Sequence, residues 1–248
     1  MSPRPRRLPP LTAFDLEPGA VLAGKYRVVE KLGRGWEGEV YLVTELGTRI
    51  ERSAKLFFPH RNPGGRAVRT YARKLHKLRH CPILIHYYTR ESILFDGRTV
   101  TLLVSEFVEG ERLCDFLAAQ PGRRLDPFQA LHLLHGLAAG IEPIHDLGEY
   151  HGDLHDENVL VRRRGLGFEL KVLDMYPRGR ATRQMQRSDL RDLIRLFYDA
   201  MGGRRRYAAL PDEMKWICGG LKHSLIDARF PTVGRLRRHL ETMEWSPD

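Results

Sequence analysis

The chain has 248 residues, enough for one large domain or for two lobes with a substantial core. Apolar residues make up 42% and charged residues 29%, as in ordinary globular proteins, and no apolar run approaches the roughly 18–20 residues of a membrane helix. The basic N-terminus lacks the apolar stretch of a secretory signal, so we expect a cytoplasmic protein. Cys81, Cys114 and Cys218 are odd in number and far apart, which disfavours a disulfide framework and a structural zinc site.

The net charge of +10 at pH 7 is compatible with a nucleic acid, an anionic membrane surface or an acidic substrate as a partner. The basic residues are scattered, apart from short clusters at Arg4–Arg7, Arg162–Arg164 and Arg204–Arg206, and no basic helix is interleaved with aromatic residues. We therefore expect a general attraction of phosphorylated ligands rather than a dedicated nucleic-acid surface.

The first part of the chain predicts a flexible arm and then a β-rich lobe. Residues 1–20 are rich in proline and arginine, as flexible basic arms are. Alternating apolar residues between turn residues then predict strands, and an apolar stripe of helical period predicts one helix. The strands are expected at Tyr26–Leu32, Glu39–Thr44, Thr48–Phe58, Ile83–Tyr88 and Thr99–Val108, with a turn at Asp96-Gly97, and the helix at Arg66–Arg79. These elements place the first lobe at residues 21–108.

After Glu109-Gly110 the pattern becomes mainly helical, which places a second lobe at residues 109–248. The helices are expected at Leu113–Ala119, Pro127–Leu147, Ser188–Met201, Asp212–Leu221 and Thr232–Met243. A short hairpin of Val159–Val161 and Glu169–Leu173 interrupts them. The predicted fold class is therefore α+β, with a β-rich N-lobe that carries one helix and a mainly α-helical C-lobe.

The segment from Gly33 to Val40 has the pattern G-x-G-x-x-G-x-V between two predicted strands. Glycines let backbone amides approach phosphate oxygens where a Cβ atom would obstruct them, so Gly33, Gly35, Gly38 and Val40 are candidates for nucleotide binding. Three glycines in a hairpin can also simply make a turn, so this signal alone is weak. Because the loop joins two strands and does not open a helix, it does not fit the dinucleotide-binding fingerprint.

Lys55 lies in the apolar strand segment S-A-K-L-F-F, where it alternates with Ala54 and Leu56. A lysine with apolar neighbours usually extends its ammonium group to solvent. On a face that meets a ligand, it would instead bind α- and β-phosphates as a point charge. The strand by itself leaves both interpretations open.

The most informative segment is Tyr150–Val161, which reads Y-H-G-D-L-H-D-E-N-V-L-V. Asp153 precedes Asn158 by five residues and an apolar strand follows, which is the layout of a phosphotransfer catalytic loop. The acid can accept the proton of an attacking hydroxyl, and the amide oxygen can hold Mg²⁺. Asp174, at the end of the next strand, is either a turn or helix cap or a second oxygen ligand for that hard ion.

The order of glycine loop, strand lysine, H-x-D-x-x-x-x-N loop and strand-end aspartate resembles the eukaryotic-like protein kinase superfamily, over residues 22–245. The resemblance implies a bilobal protein-kinase-like fold and the use of ATP and Mg²⁺. It also implies that Lys55 binds phosphates, that Asp153 is the catalytic base, and that Asn158 and Asp174 hold the metal ion.

Further residues acquire roles only through this resemblance. The stretch Ser105–Gly110 looks like the hinge that receives adenine, with Glu106 and Val108 as candidate contacts. Asp189 is similar to the acid that braces the catalytic loop, and the segment starting at Arg229 (R-F-P-T) is similar to the family's late Arg-Pro-Thr element.

Two positions depart from the family pattern at sites of regulation. Tyr71 falls where the first helix usually carries a glutamate that pairs with the strand lysine, and no acid occurs from Arg66 to Arg79. Either another acid pairs with Lys55, or ligand phosphates alone steady it. Gly152 replaces the arginine that would sense a phosphorylated activation segment.

The segment after the strand-end aspartate is also unusual. The triplet Asp174-Met175-Tyr176 lacks a glycine, and about a dozen residues separate it from the helix expected at Ser188. So short a segment cannot form the usual peptide-docking platform, and Arg229 is expected to lack its usual glutamate partner. The H-G-D-L-H sequence, which ends at His155 where protein-serine kinases usually have a lysine, also resembles lipopolysaccharide-sugar kinases and antibiotic phosphotransferases.

Two functions of different classes follow from these residues. The first is an ATP- and Mg²⁺-dependent phosphotransferase acting on a hydroxyl, expected to belong to a protein serine or threonine, with a sugar or another small molecule as the alternative acceptor. The second is a pseudokinase, a catalytically weak or inactive interaction module that binds nucleotide. A nucleic-acid partner is the least favoured interpretation of the basic charge.

Overall fold

A computed structural model of the chain describes residues 9–165, 167–175 and 181–244. The chain divides into two compact units. The first consists of Met1–Lys77 and His86–Phe107, and the second consists of Leu78–Ile85 and Val108–Asp248. The segment Leu78–Ile85 therefore belongs to the second unit, although elements of the first unit flank it in the sequence.

The first unit is built on an antiparallel sheet with the strand order β1-β2-β3-β4-β6-β5. Its elements are β1 Val21–Leu22, β2 Tyr26–Arg34, β3 Gly38–Glu45, β4 Glu51–Phe57, α1 Arg66–Lys77, β5 Tyr87–Phe95 and β6 Arg98–Glu106. Alternate apolar side chains of these strands form one buried cluster, which includes Val28, Tyr41, Leu56 and Leu102. Burial of these side chains on one face fixes the register of the sheet.

Part of the N-terminal segment, which was predicted to be a flexible arm, packs against this sheet. Phe14 is 5% exposed and belongs to the buried cluster, and its ring stacks on Phe58 with 5.2 Å between the ring centroids. Leu11, Leu16 and Ala20 pack against the same cluster. Within the flexible arm predicted for residues 1–20, residues 11–20 thus contact the sheet through buried Phe14 and partly buried Leu11, Leu16 and Ala20, while residues 1–8 lie outside the described residues.

The buried carboxylate of Glu39, on β3, attaches this N-terminal segment to the sheet. It is 0% exposed and accepts hydrogen bonds from the backbone amides of Phe14 at 3.2 Å and Asp15 at 3.3 Å. Lys31 Nζ donates to it at 2.7 Å, and the hydroxyl of Tyr41 also donates to it. Burial acts to raise the pKa of Glu39, but these hydrogen bonds together lower it from its ordinary value.

One predicted strand of the first lobe is misplaced. Ile83–Tyr88 was expected to be a strand, but β5 begins at Tyr87. Ile83 and Leu84 instead belong to the second unit, where Val172 N donates to Ile83 O at 2.8 Å and Leu84 forms an isolated bridge with Val172. A short apolar run is buried in either setting, so its hydrophobicity could not distinguish a sheet strand from this interior packing.

The second unit consists of helices and a small sheet with the strand order β7-β8-β9. Its elements are β7 Glu111–Arg112, α2 Leu113–Ala119, α3 Pro127–Asp146, β8 Val159–Arg164, β9 Gly167–Val172, α4 Arg183–Ala200, α5 Asp212–Cys218, α6 His223–Arg229 and α7 Val233–Thr242. These elements confirm the predicted α+β class, with β-structure concentrated in the first lobe and helices in the second. None of the described helices is both long and apolar enough to cross a membrane.

The helix boundaries in the second unit differ from the predicted ones at two places. Helix α4 begins at Arg183, five positions before the expected Ser188, because Thr182 caps it by accepting from Met185 N at 3.3 Å. Helix α5 ends at Cys218, because Gly219 adopts the left-handed conformation at its C-terminus, and α6 was not predicted.

We expect Glu39→Gln to destabilise the protein by about 2–4 kcal/mol, because a buried amide cannot satisfy all four donors that the carboxylate serves. Urea unfolding at neutral pH would measure the difference. The pKa of Glu39 is lowered in the folded state, so its ionised carboxylate stabilises the parent fully above the ordinary glutamate pKa of about 4.3. This stabilisation is lost as the pH falls further, through the lower pKa of the folded state.

Glu30→Gln is the matched control, because Glu30 is an exposed glutamate on the neighbouring strand. Its free energy of unfolding should stay within about 0.5 kcal/mol of the parent. Equal stability of the Glu39 and Glu30 variants would contradict a structural role for the buried carboxylate.

Candidate active site

The hairpin of β2 and β3 carries the glycine-rich segment in the first unit. Gly33 pairs with Val40 in its register, and Gly35 N donates to Gly38 O at 2.9 Å. A Cβ atom on Gly38 would lie 1.9 Å from the carbonyl oxygen of Leu56, so only glycine fits this close to β4. A Cβ atom on Gly35 would meet open space, so no packing constraint explains that glycine.

Lys55 lies on β4, on the face opposite the buried cluster that contains its neighbours Ala54 and Leu56. Its side chain is only 16% exposed, and its ammonium group lies 3.2 Å from Glu37 Oε2. The rings of Phe57 and Tyr71 lie 5.4 and 5.7 Å from the same nitrogen, within the range of cation–π attraction. The strand position therefore holds Lys55 in a partly buried, charged and aromatic setting, not extended into solvent.

Glu37 is the functional candidate that sequence reasoning missed. It lies in the glycine loop immediately before Gly38, and Gly38 pairs with Phe57 across the strands. This register brings the loop carboxylate beside Lys55, while buried Tyr71 occupies the helix position from which an acid usually comes. The sequence does show an acid between the second and third glycines of the loop. Whether that acid reaches Lys55 depends on the register between β3 and β4, which the sequence does not give.

The predicted hinge begins at the end of β6. Ser105 is buried, and Glu106 is tied to the start of β5, because its amide donates to His86 O at 2.8 Å and its carboxylate accepts from His86 N at 3.0 Å. Val108 is the first residue after the boundary between the units. The adenine contacts assigned to Glu106 and Val108 stay predictions.

The second unit brings Asp153 and Asn158 together. Asn158 Nδ2 donates to the backbone oxygen of Asp153 at 2.9 Å and to Asp153 Oδ2 at 3.1 Å, and it lies 2.9 Å from His155 Nε2. The Asp153 side chain is 53% exposed, whereas Asn158 is buried. The loop therefore presents a carboxylate whose orientation is set by the neighbouring amide.

A buried carboxylate braces this loop from helix α4. Asp189 is 0% exposed and accepts from the amides of His151 at 2.7 Å and Gly152 at 2.8 Å. His145 Nε2 lies 2.9 Å from the same side chain. Gly152 has φ +83°, a left-handed conformation that favours glycine, so the sequence H-G-D suits the sharp turn that delivers both amides to Asp189.

The strand-end aspartate is joined to the loop through its neighbour Leu173. His151 Nε2 lies 2.8 Å from Leu173 O, and Leu173 N donates to Asn158 O at 2.8 Å. Asp174 is exposed and follows directly, with a left-handed φ of +51° that aspartate tolerates better than most residues. Asn158 is thus hydrogen-bonded through its backbone to Leu173, the residue directly before Asp174.

These residues fit a magnesium ion. The contacts above engage the Nδ2 atom of Asn158, which leaves its amide oxygen as the donor of choice for a cation, and Asp174 offers carboxylate oxygens. Mg²⁺ prefers such hard oxygen ligands and commonly keeps water and substrate phosphates in its remaining positions. Across residues 9–165, 167–175 and 181–244, no cluster of three or more acidic, histidine or cysteine side chains is placed to hold a metal.

One of the two departures expected after Asp174 can be examined. Arg229 donates to the backbone oxygen of Trp216 and lies 4.7 Å from the centre of its ring, and no glutamate among the described residues pairs with it. Met175 is buried, while Tyr176 and the following residues to 180 lie outside the described residues. The proposed consequences of a short segment after Asp174 therefore stay predictions.

A model of the protein kinase domain matches residues 26–209, a range that contains the glycine loop, Lys55, Asp153, Asn158 and Asp174. The chain belongs to the protein kinase family. The resemblance inferred from the sequence motifs is thereby confirmed.

Relatives of this family include bacterial serine/threonine kinases. The serine/threonine-protein kinase pkn2 of Myxococcus xanthus is 35% identical over 157 residues, which covers 62% of this chain and 18% of the relative. A probable serine/threonine-protein kinase of Streptomyces coelicolor is 31% identical over 156 residues, which covers 62% of this chain and 22% of the relative. The chain thus spans about a fifth of the length of these curated relatives.

Solved structures show the same fold. The kinase domain of Mycobacterium tuberculosis PknI has a TM-score of 0.65 and 21% identity, covering 92% of this chain and 99% of that chain. A double mutant of the same domain has a TM-score of 0.67 and 20% identity, covering 91% of this chain and 97% of that chain. The fold is therefore protein-kinase-like, with a β-sheet N-lobe and a helical C-lobe.

Asp189→Asn is expected to lower the free energy of unfolding by about 2–4 kcal/mol, because an amide leaves one of the two backbone donors without an acceptor. The same variant should lose turnover as the loop that carries Asp153 relaxes. Urea unfolding and steady-state kinetics on one preparation would measure both effects.

Asp192→Asn, one helical turn further along α4, is the matched control. Burial, and then the charge of Asp189, raises the pKa of Asp192 to about 6. A raised pKa means that ionisation costs stability as the pH rises from the ordinary aspartate value of about 3.9 to the folded value. This variant should therefore match the parent at low pH and exceed its stability above pH 6. A similar loss in both variants would contradict the bracing role of Asp189.

Proposed function

We propose that the chain is an ATP- and Mg²⁺-dependent phosphotransferase that moves the γ-phosphoryl group to the hydroxyl of a protein serine or threonine. The observation that carries this proposal is the arrangement of Asp153 and Asn158, hydrogen-bonded at 3.1 Å on a loop whose turn is held by buried Asp189. The relatives named above are serine/threonine kinases, which supports a protein acceptor.

Asp153 is the proposed catalytic base. Its half-exposed carboxylate can reach an incoming hydroxyl, and the hydrogen bond from Asn158 fixes the orientation of its Oδ2 atom. In the reaction, the hydroxyl oxygen forms a bond to the γ-phosphorus while the bond from that phosphorus to the β–γ bridging oxygen breaks. The hydroxyl proton passes to Asp153, and ADP leaves with the bridging oxygen.

Lys55 and Glu37 form the proposed phosphate-binding pair. Glu37 orients the ammonium group at 3.2 Å, and the ring of Tyr71, 5.7 Å away, adds a cation–π contact. A partly buried lysine held in this way offers a fixed positive charge to α- and β-phosphates. When bound, Mg²⁺ would neutralise charge on the phosphates, and Asn158 with Asp174 would hold it.

A pseudokinase is the second candidate, and buried Tyr71 is the observation that favours it. Tyr71 is 7% exposed and occupies the helix position where the family carries an acid. In this alternative, the chain binds nucleotide without transferring phosphate and acts by engaging a partner. ATP binding with no transfer to any acceptor or to water would establish it.

We expect Asp153→Asn to reduce turnover by roughly 10²–10⁴-fold with little change in ATP affinity, because the amide cannot accept the hydroxyl proton. ATP hydrolysis and autophosphorylation with magnesium would give turnover, and the nucleotide-induced shift in melting temperature would report binding.

Glu157→Gln is the matched control, because Glu157 is an exposed acid on the same loop. It should keep parental turnover. An active parent whose turnover is unchanged in the Asp153 variant would overturn the assignment of the base. A thermal shift without turnover in any of the three proteins would favour the pseudokinase.

Glu37→Gln is expected to lower kcat/KM for ATP by roughly 3–10-fold, the size of one partly buried ion pair of about 1 kcal/mol. The physical reason is that Lys55 loses the carboxylate that orients it. The change should appear mainly as a higher KM for ATP. Loss of the catalytic base would instead lower kcat.

Glu51→Gln serves as the control, because Glu51 is exposed at the start of the same strand as Lys55. Its kinetics should match those of the parent. If Glu37→Gln instead raises kcat/KM, then Glu37 competes with phosphates for Lys55, and the positioning role is wrong.

A further inference from the structure

An open groove of about 650 Å³ lies within the second unit, and its lining includes no residue of the loop that carries Asp153. It is lined by the connection between α2 and α3, the start of α3, one residue of β8 and the segment between α4 and α5. Nothing in the proposed phosphotransfer uses these residues. We call this site the arginine groove, after the three lining residues Arg124, Arg163 and Arg206.

The floor of the arginine groove is apolar. Leu125 and Met201 are each 1% exposed, and Leu210 is 9% exposed. Proline residues line its sides and contribute no backbone N–H groups. Leu125 and Met201 are already closed to solvent, so the apolar surface that an occupant can cover comes mainly from Pro121, Ala209 and Pro211. An apolar group placed against these residues gains from burial.

Three positive charges surround this floor. In the ranges that the structure describes, neither Arg124, Arg163 nor Arg206 has a carboxylate within ion-pair distance. Their neighbour Arg162 differs, because it pairs with Glu109 at 2.8 Å and with Glu169 at 2.7 Å. The three arginines that face the groove thus have no ion-pair partner among the described residues, whereas their neighbour Arg162 has two.

One acid, Asp126, also lines the groove, so the three arginines and this aspartate leave a net charge of +2. Asp126 caps α3 by accepting from Gln129 N at 2.9 Å. The Gln129 amide satisfies its neighbours in one orientation, with its nitrogen donating to Asp126 at 3.0 Å and its oxygen accepting from Arg163 Nη2 at 2.6 Å. This contact fixes the position of the Arg163 guanidinium and leaves its charge in place.

We propose that the arginine groove binds a short acidic peptide segment of a partner protein. Guanidinium groups bind carboxylates through paired hydrogen bonds, and a peptide that interleaves acidic and apolar residues supplies both carboxylates for the rim and an apolar side chain for the apolar lining. A single-stranded nucleic acid would need aromatic side chains for base stacking, and the residues that line the groove include none. The overall charge of +10 favours the approach of such a segment.

The test measures the fluorescence anisotropy of a fluorescein-labelled peptide of glutamates with two interspersed leucines, at about 0.15 M salt to screen long-range attraction. The full chain is used without nucleotide, so the outcome does not depend on phosphotransfer. We expect saturable binding that is lost when the glutamates are replaced by glutamines and weakened when the leucines are replaced by serines.

The double variant Arg163→Glu with Arg206→Glu should weaken binding by at least about tenfold, because two attractive contacts become repulsive. Arg204→Glu with Arg205→Glu is the matched control, since these exposed arginines adjoin Arg206 without lining the groove and the change in net charge is the same. The control should weaken binding by no more than about twofold. Circular dichroism would verify that both variants fold.

Three results would overturn the proposal. Equal weakening in the two double variants would mean that the peptide responds to total charge and not to the groove. No saturable binding to the parent chain would exclude an acidic peptide as the occupant. Tighter binding of a labelled oligouridine, lost in the same groove variant, would assign the groove to nucleic acid.

Discussion

The conformation of the loop that carries Asp153 and Asn158 depends on one buried negative charge, that of Asp189. Asp189 has no solvent exposure, and a carboxylate in that position is tolerated only if donors surround it. The backbone amides of His151 and Gly152 meet this requirement, and they can do so only when the loop adopts its sharp turn. The conformation that exposes Asp153 is thus tied to the cost of burying Asp189.

The same electrostatic requirement explains an unusual feature of the first unit. Lys55 is largely buried, so its ammonium group needs a partner, and the helix position where the family carries an acid is occupied by the aromatic Tyr71. The glycine loop supplies Glu37 in its place. A charge requirement that the family usually meets from a helix is met here from the adjacent hairpin, which keeps the lysine positioned although the helix has no acid.

Much of this architecture was predictable from local patterns. Strands β2, β3 and β4, the helix α2 and the β8–β9 hairpin follow directly from apolar periodicity and turn residues. The patterns failed where burial came from distant parts of the chain. Ile83 looked like a strand residue but packs against Gly140 in the second unit, and residues 11–20 looked flexible but bury Phe14 beside β3.

The order and spacing of the chemical groups along the chain indicate the family and the candidate roles of Lys55, Asp153, Asn158 and Asp174. Motif spacing carries this information because the family's chemistry requires those groups at those separations. Which charged side chains meet depends instead on how the chain folds. Glu37 reaches Lys55 because of strand register, and three arginines share one apolar groove because separate elements converge there. Such pairings depend on contacts between residues distant in the sequence, which no local pattern encodes.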